Sequence, residues 1–137
     1  MSKLGLAANL VADYISQLTF DEQNLIAEVN LAPDFDLEQI TTRKIMVVPE
    51  KILSTKTRGK PEVSTRLNVA ITEKINFEDA EEYLAFIEFI GEAIEKMNIP
   101  NVATVTHIEY DPVYDADVLR SSFVMISVIT VTIRMLA

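Results

Sequence analysis

The stretch VSTRLNVAIT, residues 63–72, has the clearest two-residue alternation in the chain and decides the fold class. In an extended strand, successive side chains point to opposite faces, so this pattern is typical of a strand with one face on a core. The positions on the core side would be Val63, Thr65, Leu67, Val69 and Ile71. We therefore predict a central strand here and expect the other elements to be arranged around it.

Four further segments have the character of strands. They are residues 21–31, 44–48, 102–110 and 122–135. The second is expected to stop at Pro49, because proline lacks the N–H that a sheet ladder requires. The last is apolar on both faces at first, which is typical of a strand inside a sheet. Between the last two, residues 111–115 are predicted to form a turn.

Two helices are predicted, over residues 3–18 and 77–97. In both, apolar residues recur at spacings of three and four, which gives one buried stripe. Asn76 is placed to cap the second helix through its side-chain oxygen, and Pro100 follows the end of that helix. The first helix superficially resembles a signal peptide, but Asp13 interrupts its apolar run, and we expect a mature amphipathic helix.

The element order α-β-β-β-α-β-β predicts an α+β fold in a single domain, residues 1–137. We expect a mixed, mostly antiparallel sheet of four to five strands, with the two helices packed on one face. The longest apolar run, residues 123–133, is far shorter than the ~20 residues of a membrane span, so no membrane contact is expected.

The composition of the chain disfavours enzyme chemistry. It has 137 residues with no Cys, one His and three Gly, which leaves little material for thiolate metal sites, His-dependent catalysis or nucleotide-binding loops. His107 is expected to be structural, and the carboxylates of the second helix are predicted to form its solvated face. We therefore predict no catalytic, metal or cofactor site.

The charge is segregated along the chain. The formal net charge is −9, yet eight of the 12 Lys and Arg residues lie within residues 43–74. This net charge argues against a chain that wraps nucleic acid, and residues 50–62 are predicted to form an exposed basic loop. The loop either is simply solvated, touches phosphates transiently, or meets the acidic helix of a neighbouring copy. We expect the last, with the following contact residues: Lys51, Lys56, Arg58, Lys60, Glu88, Glu92 and Glu95.

The order and spacing of several segments resemble the tail terminator, or tail completion, proteins of long-tailed bacteriophages. The resemblance covers nearly the whole chain and includes no catalytic signature. The segments that carry it are LAPDFDL at 31–37, KIMVVP at 44–49, LNVAITEK at 67–74, EYDPVY at 109–114 and FVMISVITVT at 123–132.

The resemblance implies a non-enzymatic virion protein of the tail or neck, made in the host cytoplasm. Such a protein forms a homo-oligomeric ring, typically a hexamer, that caps the head-proximal end of the tail tube and stops its polymerisation. Its partners would be the tail tube protein and the head-completion or connector protein, with DNA passing through the channel unread. Two alternatives stay open: another connector or tail-tube-like protein of the same particle, or a small cytosolic binding module that uses its basic loop.

Overall fold

The computed structural model describes residues 2–31, 43–57, 60–75, 77–100, 102–111 and 114–135. The helices are α1 (Lys3–Ser16), α2 (Ala80–Glu95, preceded by a 3-10 turn at Phe77–Asp79) and α3 (Ala116–Ser122). The strands are β1 (Thr19–Phe20), β2 (Gln23–Asn24), β3 (Ala27–Val29), β4 (Lys44–Thr57), β5 (Lys60–Lys74), β6 (Asn98–Ile99), β7 (Ala103–Tyr110) and β8 (Val124–Met135).

The main sheet has six strands in the order β3-β4-β5-β8-β7-β6, and β1 and β2 form a separate small hairpin. Only β3 and β4 run parallel, and the other pairs of the main sheet are antiparallel. The predicted α+β class with a mixed, mostly antiparallel sheet is confirmed. The predicted number of strands is wrong, since the main sheet has one more than the upper prediction.

The helices α1 and α2 cover one face of this sheet, as predicted. Helix α1 packs mainly on β4 and β3, whereas α2 packs mainly on β7. The alternation that defined the central strand is observed in β5, where Leu67, Val69 and Ile71 are fully buried in the core. The intervening positions of β5 therefore lie on the sheet face that points away from α1 and α2.

The predicted exposed loop at 50–62 is wrong, because its described residues, 50–57 and 60–62, belong to the paired strands β4 and β5. A bulge between Pro49 and Lys51 carries β4 past the proline. On its other side β4 pairs with β3 only over residues 45–47 among the described residues, and proline is tolerated at such an edge or at a bulge. The β-branched residues Ile52, Thr55 and Thr57 favour the strand that the polar composition concealed.

The segment 21–31 is not one strand. Asp21 and Glu22 both have positive φ, 50° and 64°, which produces the tight turn between β1 and β2. Only Ala27–Val29 then joins the main sheet. The alternation from residue 25 onward does correspond to a strand, β3, but the chain reverses direction before it, at Asp21 and Glu22.

Helix α3 has no counterpart among the predicted elements, and β8 begins at residue 124 rather than 122. The signal for it is Asp115, whose Oδ1 accepts the N–H groups of Asp117 and Val118, both at 3.1 Å. The predicted helices are otherwise confirmed within a few residues at each end. The predicted cap Asn76 lies outside the described residues, and the residue before α2, Asp79, makes no side-chain cap hydrogen bond.

Phe123, at the end of α3, has φ 55° and ψ 33°, a left-handed conformation in which a bulky side chain is strained. Its N–H donates to the Leu119 carbonyl at 3.0 Å, and its own carbonyl accepts the N–H of Ile75 at 2.9 Å. Phe123→Gly is therefore expected to raise the free energy of unfolding by about 1 kcal/mol, measured from urea unfolding curves. Phe123→Ala, which keeps the strain, should give no gain, and equal losses in both variants would contradict the argument.

Candidate interaction surfaces

The outer side of α2 carries the predicted carboxylates. The helix buries one stripe against the sheet, made of Tyr83, Phe86, Ile87, Ile90, Gly91 and Ile94. Glu88, Glu92 and Glu95 lie outside this stripe and are all exposed. We call these three residues the acidic flank. Within the described part of the chain, none of the recorded salt bridges involves them.

The acidic flank borders Tyr110, near the end of β7. The Tyr110 ring packs on α2 at Gly91, where a Cβ would overlap its hydroxyl and ring carbons. Burial raises the pKa of Tyr110, and the negative charges of Glu92, Glu95 and Glu88 raise it further, in that order. The negative charges of all three carboxylates therefore act on the Tyr110 phenol at the end of β7.

Of the predicted cations, Lys51 and Lys56 belong to β4 and Lys60 begins β5. Lys51 is exposed on β4. Among the described residues, the pairing of β5 with β8 begins at Val63. Lys56 and Lys60 lie nearer the hairpin end than this point, on β4 and β5 respectively. The side chains of Lys56 and Lys60, and the whole of Arg58, lie outside the part of the chain that the structure describes.

Arg43, the first cation of the basic segment, is used within the chain. Its Nε donates to Oε2 of Glu73 at 3.0 Å, and its guanidinium carbon lies 3.8 Å from the centroid of the Phe86 ring. Phe20 in turn packs edge-on against Phe86 at 5.1 Å between centroids. Arg43 therefore ties α2 to the sheet, and is a contact inside the fold.

Two cations that the sequence did not single out as contact residues lie near Lys51. Arg66 is directly opposite Lys51 in the β4–β5 register, and Thr132 of β8 is opposite Arg66. Arg134 follows Thr132 by two positions and so lies on the same face. We call Lys51, Arg66 and Arg134 the basic row. The alternation in 63–72 predicts which face Arg66 occupies, but only the register brings Arg134 beside it.

The acidic flank and the basic row lie on opposite sides of the domain. The basic row alternates with Leu67 and its core-facing neighbours, and so is on the sheet face away from α1 and α2. The strands β4 and β7 are separated by β5 and β8, which corresponds to about 14 Å. The two surfaces of one chain therefore cannot meet, whereas those of two copies can.

The other surface features of the described residues offer fewer groups for binding or catalysis. Among the described residues, no group of three or more His, Asp or Glu side chains is placed to hold a metal ion. His107 is exposed on β7, opposite Thr132. Pockets of about 450 and 290 Å³ lie beside Arg43 and between α2 and α3. Their described lining includes no Ser, Thr or His.

None of the helices in the described ranges has the length and apolar character needed to cross a bilayer.

Comparison with known proteins adds no family to this description: the sequence matches no protein-family model and no curated protein.

Proposed function

We propose that this chain is a non-enzymatic structural protein that assembles head to tail into a ring and, as its resemblance to tail terminators implies, caps the head-proximal end of a phage tail tube. In that role it stops tube polymerisation and joins the tail to the head connector. One observation supports this most directly: the acidic flank lies on the helix side of the main sheet, and the hairpin cations Lys51 and Arg66 lie on its opposite face.

Because the acidic flank and these cations lie on opposite sides of the chain, they restrict the symmetry that an assembly can have. In a two-fold dimer the same patch of both copies meets itself, which would set acidic flank against acidic flank. When two different patches meet, each added copy offers the next one a free patch, and the assembly closes into a ring if the rotation allows it. A self-associating protein with this charge distribution is therefore a ring or a filament.

The net charge of −9 suits passage of DNA through such a ring. Phosphates that slide past a net acidic protein meet no deep electrostatic minimum, whereas a strongly basic lining would hold them. The proposed ring thus guides DNA and does not bind it by sequence.

The direct test is the oligomeric state of the full chain. We expect light scattering coupled to gel filtration to give one discrete multimer, and negative-stain images to show rings. The triple variant Glu88→Lys, Glu92→Lys, Glu95→Lys should keep its circular dichroism spectrum and associate about 100-fold more weakly. The reason is that like charges set against each other across a contact cost several kcal/mol.

A matched control separates the acidic flank from net charge. Asp13, Glu28 and Asp111 are also exposed, and changing all three to Lys alters the net charge by the same amount. This control should still form the ring. Equal loss in both triple variants would show that net charge alone is responsible. A chain that stays monomeric at high concentration would favour the small binding module instead.

A further inference from the structure

Two adjoining cavities lie at the end of the main sheet where β4 begins and β5 ends. The larger, of about 450 Å³, has the volume of a small ligand site, and the smaller is about 230 Å³. Arg43 and Glu73 line both cavities, which therefore meet at the ion pair that these two residues form. We call the two cavities together the Arg43 groove.

The ion pair offers the groove a donor and an acceptor side by side. Arg43 uses Nε to donate to Oε2 of Glu73, and no acceptor among the described residues is recorded for its Nη atoms. Oε1 of Glu73 likewise has no recorded donor within the described ranges. Stacking on the Phe86 ring fixes the plane of the guanidinium. A peptide group can therefore bond to both residues at once, whereas a lone anion is repelled by Glu73 and a lone cation by Arg43.

The larger cavity is lined by aliphatic side chains, one of which is largely exposed. Leu25 and Ile45 are buried beside it, whereas Ile26 is 75% exposed. The carboxamides of Gln23 and Asn24 add further donors and acceptors to the described lining. An aliphatic side chain of a partner in this cavity would remove apolar surface of Ile26 from water, which favours binding.

The smaller cavity has more carboxylates than cations. Besides the ion pair, its described lining includes the exposed Asp79 and Glu82, at the start of α2, and one cation, Lys74. Within the described part of the chain, none of these three residues forms a recorded salt bridge. Because the ion pair itself is neutral and the two carboxylates outnumber Lys74, a basic side chain of a partner is favoured here over an acidic one.

We propose that the Arg43 groove binds an extended peptide segment of a protein partner, in which an aliphatic and a basic residue are two positions apart. In an extended chain, such residues point to the same side and lie about 7 Å from each other. The aliphatic side chain enters the larger cavity, and the basic one meets Asp79 and Glu82. A peptide group between them bonds to Arg43 and Glu73. This site is independent of the proposed ring.

Titration of the ¹⁵N-labelled full chain with short blocked peptides tests this site. The probes are acetyl-Gly-Ile-Gly-Lys-Gly-amide and acetyl-Gly-Lys-Gly-Ile-Gly-amide, which present the two side chains in either direction. We expect one of them to give saturable shifts of the backbone amide signals at residues 23–26 and 43. Replacing its Lys by Glu, or its Ile by Ser, should weaken binding about tenfold, because each change removes one of the two side-chain contacts.

Two pairs of protein variants provide matched controls. Glu82→Lys should weaken peptide binding about tenfold, whereas Glu81→Lys, at an exposed neighbour outside the described lining, should change it less than about twofold. Ile26→Ser should weaken binding about tenfold as well, whereas Ile52→Ser, at an exposed isoleucine of β4 outside the described lining, should not. All four changes are at exposed positions, so the circular dichroism spectra should stay unchanged.

Three outcomes would overturn the proposal. The first is that neither probe gives saturable shifts at millimolar concentration. The second is that Glu81→Lys weakens binding as much as Glu82→Lys, which would show that net charge and not the groove attracts the peptide. The third is that Ile26→Ser and Ile52→Ser have equal effects. The proposed ring is tested separately, because a chain that stays monomeric still has the groove and a chain that forms rings can fail to bind either probe.

Discussion

Replacing Gly91 by alanine is expected to lower the free energy of unfolding by about 1–3 kcal/mol, although alanine is the better helix former. The added methyl group would overlap the hydroxyl oxygen and Cζ of Tyr110, and the next ring carbon, Cε1, would be only 2.7 Å away. The Tyr110 ring must swing out and lose its packing on α2. Chemical denaturation followed by circular dichroism measures the loss.

A double-mutant cycle identifies the cause. In a Tyr110→Leu background the overlap is absent, so Gly91→Ala should become neutral or stabilising by up to about 1 kcal/mol. If Gly91→Ala is equally harmful in both backgrounds, the loss does not come from Tyr110. The same variant should also disturb assembly, because Tyr110 lies amid the acidic flank.

The second large effect is expected at Tyr83, which is fully buried at 2% exposure. Its hydroxyl donates to the Ile71 carbonyl at 2.9 Å and lies 3.1 Å from Oγ of Ser127. Tyr83→Phe should cost about 1–2 kcal/mol, because the burial of these polar groups is no longer compensated. Ser127→Ala in the Tyr83→Phe background should then cost less than Ser127→Ala alone, and additive losses would contradict a shared network.

The same residue predicts an alkaline loss of stability. Burial raises the pKa of Tyr83 well above its usual value near 10, and the charge of Glu73 adds to this, while a Ser127 hydrogen bond and Arg43 oppose it. The folded state therefore keeps a proton that the unfolded chain releases. Stability is full below about pH 10 and falls by about 1.4 kcal/mol per pH unit above it. Urea midpoints from pH 8 to 11 should fall less steeply in Tyr83→Phe, and parallel curves would contradict this origin.

The sequence predicted the parts of the fold that follow from periodicity. Alternation in residues 63–72 and a run that is apolar on both faces in 122–135 identified the two strands that carry the core. The core-facing positions from Thr65 to Ile71 and from Met125 to Ile133 are all buried. Prediction from the sequence failed at 50–62, where the rule that proline ends a strand does not hold at a bulged edge. It also missed α3, a seven-residue helix too short to show a period, although Asp115 marks its start.

The candidate interaction surfaces, too, could be predicted from the sequence only in part. The acidic flank could be predicted, because helical spacing places Glu88, Glu92 and Glu95 on one side of α2. The basic row could not, because Arg66 and Arg134 are 68 positions apart and meet only through the β5–β8 register. Arg43 belongs to the same basic segment, yet it is held inside the fold by the Phe86 ring and by its ion pair with Glu73, neither of which its position in the sequence reveals.

The bulge at Pro49 bears on aggregation as well as on fold. Beyond residue 47, the outer side of β4 has no strand beside it among the described residues, and such an edge tends to recruit strands from other molecules. A proline, an irregular register and a lysine follow one another there, from Pro49 to Lys51, and each hinders main-chain pairing. Copies of this chain can therefore meet at high concentration through side chains without extending one sheet into an amyloid-like ribbon.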